Sequence, residues 1–130
     1  MLWGVLLGGI VYSHIVYFPV YLSDLPASAI VVNGKYGLDE AMFWGPLHPV
    51  LILLLIAALI LNWKFPARRK LLLISFGIYI AVLIATFVYF LPELFAFKNS
   101  PNTYESPAEW LARANRWQIL SYTRGIFMFI

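Results

Sequence analysis

Cysteine is absent from all 130 positions, so disulfides, thiolate metal ligands and cysteine nucleophiles are excluded. Charge is scarce too: Asp, Glu, Lys and Arg together make up 12% of the chain, about half the share of a soluble globular domain. The phosphate loop, the dinucleotide fingerprint, HExxH and GxSxG are all missing, which removes the usual nucleotide, zincin and serine-hydrolase readings. There is no internal repeat of the kind a transporter is built from. What the chain has instead is apolar bulk, 62% hydrophobic residues with a mean hydropathy of +0.82. A net charge of +3 would suggest nucleic acid in a soluble protein. Here four of the nine basic residues gather in one short loop, and membrane topology accounts for them without a nucleic-acid partner.

Three stretches carry almost no charge. Met1–Leu22 has His14 as its one ionisable group besides tyrosines, Ala41–Trp63 has only His48, and Leu71–Pro92 has no charge until Glu93. Each is about 22 residues, which at ~1.5 Å per residue crosses a hydrocarbon core of roughly 30 Å. Helices are predicted over residues 2–22, 41–63 and 70–95, all transmembrane. The first run lacks a basic leading segment and is longer than a signal-peptide core, so it reads as a span despite the small residues Ala27-Ser28-Ala29.

A fourth helix is predicted over 107–130. Ser106-Pro107-Ala108-Glu109 has an N-cap serine, proline at the first helical position and a glutamate placed to close a capping box. Its start is amphipathic and its apolar part begins at Trp117. The expected architecture is a single all-α domain, an integral membrane four-helix bundle with outer loops 23–40 and 96–106 and a cytoplasmic loop 64–69. In the first outer loop, Ala29–Val32 ahead of Asn33-Gly34 fits the start of a hairpin strand, and equally a re-entrant or interfacial helix.

Lys64, Arg68, Arg69 and Lys70 form the basic hairpin, and the positive-inside rule puts it in the cytoplasm together with both termini. A bacterial inner membrane is the expected location. Trp3 and Trp63 suit an inner aromatic belt, and Tyr21, Trp44 and Trp117 an outer one. Gly4 and Gly8 in the first helix, and Gly77, Ala81 and Ala85 in the third, suggest a close seam between those two helices.

Polar groups at membrane depth are costly and mark functional candidates. His14 is expected about 12 Å below the outer end of helix one, His48 about 9 Å below that of helix two, and Arg124 about 10 Å inward along helix four. Tyr89, one turn before Glu93, is placed at the same level. Tyr17 shares a face with His14, Pro46 and Pro49 bracket His48, and Trp44 and Trp117 lie nearby in sequence. Glu93 reads as a solvated helix-end residue. No cofactor is expected. Two histidines form a weak metal signature, since a catalytic zinc normally has three protein ligands, and axial haem ligation by His14 and His48 would need their helices to face each other.

The ending Ser106-Pro107-Ala108-Glu109-Trp110, then Arg116-Trp117 and Arg124, together with an uncharged Gly-bearing first helix and a charged loop after the second, resembles the anthrone-oxygenase-like family of small four-helix membrane proteins. The resemblance covers the layout of most of the chain and about twenty residues of motif. It implies oxygenation of a polyphenolic anthrone without metal or flavin. His14 or His48 would then act as base, Arg124 as enolate stabiliser, and Tyr17, Trp44, Tyr89 and Trp117 as ligand contacts. The other reading from the residues is a non-catalytic accessory subunit packed against larger membrane partners or copies of itself.

Overall fold

In a computed structural model, residues 1–129 are described, and they form four helices with no strand among them. Helix α1 is Leu2–Tyr21, α2 is Ala41–Leu61 and α3 is Pro66–Lys98, each long and apolar enough to cross a membrane. Helix α4 is Pro107–Phe127, and the expected last residue of that helix, Ile130, lies outside the described residues. The all-α membrane bundle is therefore the fold. Its surface suits lipid: Leu53, Ile60, Leu71 and Val88 are 66%, 68%, 67% and 74% exposed, an arrangement that water would oppose.

The third helix starts earlier than expected. Phe65 is extended and Pro66 takes a first-turn position, where its missing N–H has no intrahelical partner to lose. Arg68, Arg69 and Lys70 thus lie on the first turns of α3, with the Arg68 and Arg69 guanidiniums over the rings of Phe65 and Trp63. Of the two forms open to this segment, strand or helix, it takes a helical one, the 3₁₀ turn Ala27–Val31. Ala29 is buried in the aromatic cluster beside it, which a strand pairing with residues beyond Asn33-Gly34 would not allow.

Helices α1 and α3 each widen into one π turn, at Ser13–Tyr17 and at Thr86–Phe90. Each π turn ends two residues before a proline, Pro19 and Pro92. Proline has no N–H and its ring collides with the carbonyl four residues back, and an extra residue in the turn relieves that collision. In the i→i−5 pattern Pro19 would have served the His14 carbonyl. Tyr122 of α4 serves it instead, its hydroxyl donating at 3.1 Å.

Lipid removes most of the hydrophobic drive between helices, so packing and interhelical hydrogen bonds hold such a bundle, each bond worth about 0.6–2 kcal/mol. Helix α4 supplies them. Its capping box is complete, with Ser106 Oγ accepting from the Glu109 N–H and the Glu109 carboxylate accepting from the Ser106 N–H. Trp110, Ala114, Trp117, Ser121 and Gly125 form its buried stripe. Trp117 and Tyr21, expected at a lipid interface, are 0% and 2% exposed. Trp117 donates to the Phe90 carbonyl and Tyr21 to the Leu94 carbonyl, so both tie their helices to α3. Glu93 is not simply solvated. Arg113 grips it with two hydrogen bonds of 3.2 and 2.7 Å and also holds Glu105.

The expected glycine seam is absent. A methyl group added at Gly4, Gly8 or Gly77 would meet nothing within 4 Å, and Gly77 and Ala81 are exposed. The close approach is one residue further on, at Gly9, where such a group would sit 2.7 Å from Phe43 Cε1 and 3.1 Å from Trp44. It joins α1 to α2 rather than to α3.

Candidate functional site

A cavity of about 460 Å³ lies inside the bundle. It is within the range for small-molecule sites and has the expected character, mostly apolar walls with a few polar groups. His14, Tyr17, Trp44, His48, Trp117 and Arg124 all line it. Tyr89 does not, and packs instead against the aromatic cluster around Phe90.

The π turn of α1 holds His14 and that of α3 holds Thr86, and they meet α4 at Ser121 and at Arg124 respectively. The guanidinium donates to Thr86 Oγ1 at 2.9 Å and to Ser121 Oγ at 3.1 Å, and lies 4.0 Å from the centre of the Phe90 ring. Thr86 passes its own proton to the Val82 carbonyl. Ser121 Oγ is 2.9 Å from His14 Nε2, and His14 Nδ1 is 2.7 Å from the Ile10 carbonyl. A carbonyl only accepts, so Nδ1 carries the proton and Nε2 accepts from Ser121. The chain of donors therefore runs Arg124 to Ser121 to His14 to Ile10. The ion pairs among the described residues involve only Arg113, and Arg124, which lines the cavity, has neither a carboxylate nor a further hydrogen-bond acceptor among those residues.

His48 is placed differently. Its Nδ1 is 2.7 Å from the Tyr79 hydroxyl, its ring stacks on Trp44 with centroids 5.7 Å apart, and no partner for Nε2 occurs among the described residues. With Tyr79 as donor, Nε2 carries a proton; with Tyr79 as acceptor, Nε2 offers a lone pair. Tyr79 and Thr86 are two turns apart on α3, about 10 Å along the axis. The His48 pair and the Arg124 pair thus mark two heights of one cavity rather than the single level that helix counting suggested.

On the third side stands Glu40, just ahead of α2. Its carboxylate accepts from Ser13 Oγ at 2.8 Å and from Trp44 Nε1 at 3.3 Å. Burial pushes this carboxyl above the usual carboxylate range, and the bonds from Ser13 and Trp44 pull the other way.

Ser13, Tyr79, Thr86 and Ser121 were not singled out as site residues by sequence. Ser121 had a signal, since it stands three residues before Arg124 and so on the same helical face. Tyr79 had none, because a tyrosine in an apolar helix does not announce its partner. For a metal, His14 has both ring nitrogens engaged, and no group of three His, Asp or Glu side chains able to hold an ion occurs among the described residues. A haem held by the two histidines would have to displace both Ser121 and Tyr79. Comparison of the chain with protein-family models, curated proteins and solved structures finds no match.

Proposed function

We propose that the bundle binds a flat, lipophilic aromatic molecule that presents an oxygen atom to Arg124, and that it activates this molecule for reaction with dioxygen. The observation that carries the reading is a half-buried guanidinium that lines an apolar cavity and has no carboxylate partner among the described residues. Such a cation is costly in this surrounding, and a carbonyl, phenolate or enolate oxygen completes its hydrogen bonds. The convergence of the polar residues on an interior cavity, rather than on an outer face, favours this reading over an accessory subunit. The basic start of α3 supports a cytoplasmic hairpin with both termini on that side, as in a bacterial inner membrane.

The oxygenation step comes from the likeness to anthrone oxygenases. In this scheme His48 Nε2 takes the proton of the acidic methylene across the ring from the carbonyl and conjugated with it, while Tyr79 accepts from Nδ1. Arg124 holds the resulting enolate oxygen. The carbanion adds dioxygen, the peroxide takes up the proton, and loss of water leaves a new carbonyl. His14 serves as an orienting group, because Ser121 occupies its lone pair. The scheme predicts that oxygen uptake with an anthrone falls by about 10²-fold or more in His48→Ala and less in His14→Ala. Equal uptake by wild type and His48→Ala rejects the catalytic step.

A further inference from the structure

The cavity is not closed on all sides, and its opening faces lipid. Ala41, Gly45 and Pro49 stand at four-residue intervals along α2, and Phe87, Leu91 and Phe95 do the same along α3, so each set forms one helical stripe. Both stripes line the cavity. Both are also largely bare on the outside: Phe87 and Phe95 are 64% and 61% exposed, and Ala41, Gly45 and Pro49 are exposed. Towards the hairpin the same two helices close up, with Leu47, Leu51, Tyr79 and Leu83 in one packed cluster. The gap therefore lies between two membrane spans and its side walls are apolar, while Asp39, Glu40 and Lys98 line the cavity at its outer end.

A ligand wholly engulfed would need a closed cavity, whereas the apolar side gap gives a hydrocarbon chain a path that the outer end, with Asp39, Glu40 and Lys98, does not. We propose that the occupant is an oxygen-bearing aromatic or quinone ring carrying a hydrocarbon tail, the ring held between Arg124 and the His48–Tyr79 pair and the tail leaving between α2 and α3 into the bilayer. Polar groups at two heights suit a ring with oxygens on opposite edges. An apolar slot at the side suits a chain that never leaves lipid. This inference rests on the cavity being a binding site, and adds the class of ligand and its way out.

The test uses menadione and a menaquinone, the same ring without and with an isoprenoid tail, titrated into the protein in lipid nanodiscs. Quenching of the cavity tryptophans Trp44 and Trp117 reports ring binding. Gly45→Phe plugs the gap, and a Cβ there meets no neighbour within 4 Å, so the ring can branch from α2 without displacing the backbone. Leu53→Phe, on a lipid-facing surface, controls for bulk, and Phe87→Ala is a second change to the wall. The expected result is that Gly45→Phe lowers the menaquinone-to-menadione affinity ratio by about tenfold while Leu53→Phe leaves it alone. A ratio unchanged in both Gly45→Phe and Phe87→Ala overturns the tail route and leaves the ring site standing. Absence of quenching by either compound in wild type overturns the ring site, and the tail inference with it.

Discussion

At the scale of single residues, the protonation of His14 follows from its partners rather than from its environment. Ile10 can only accept, so Nδ1 donates, and Ser121 must then donate to Nε2 while receiving from Arg124. One hydroxyl thus orders both the histidine and the arginine. Ser121→Ala removes it, and we expect a loss of about 1 kcal/mol in stability together with a change in the Nε2 signal of His14 in nitrogen NMR. An unchanged Nε2 signal would mean that the relay is not formed. His14, His48 and Arg124 were legible in the sequence because ionisable residues stand out in apolar helices. Tyr89 was misplaced because position along a helix says nothing about the direction a side chain faces when a π turn rotates the face. Thr86–Phe90 is such a turn, and Tyr89 lies inside it.

At the scale of elements, composition and length were enough to find four helices, since uncharged runs and a capping box carry their own physical meaning. Their pairing was not legible. Spacing marked Gly4 and Gly8, yet the contact falls at Gly9, because which face of α1 turns inward depends on the aromatic pair that α2 brings to it. Gly8→Ala should be neutral or stabilising by up to ~1 kcal/mol, since alanine favours helix and meets nothing there. Gly9→Ala should destabilise despite the same helix preference, as its methyl group would press on Phe43 and Trp44. Thermal unfolding of both variants in one detergent checks the order, and equal melting temperatures would contradict the observed α1–α2 approach. The third-helix boundary was missed for a local reason. Four clustered charges read as loop, whereas Pro66 lets the helix begin beneath them.

At the scale of the whole molecule, three spans and an amphipathic fourth helix make a bundle around one cavity lined by His14, His48 and Arg124. The proposed orientation is directly testable because the chain has no cysteine. A single cysteine at Lys64 should react with a membrane-impermeant maleimide only after the cells are opened, and one at Asn102 should react in cells with the outer membrane permeabilised. The reverse pattern would invert the topology. The central claim, however, is that Arg124 waits for a ligand oxygen rather than merely tying α4 to α3, and binding decides it. Menadione affinity, followed by tryptophan quenching in nanodiscs, should fall at least about tenfold in Arg124→Gln, as expected when a charge-assisted hydrogen bond is lost, with helical circular dichroism retained. Affinity equal to wild type in a folded Arg124→Gln protein would show that the arginine is a tether and that the cavity recognises its ligand by other means or not at all.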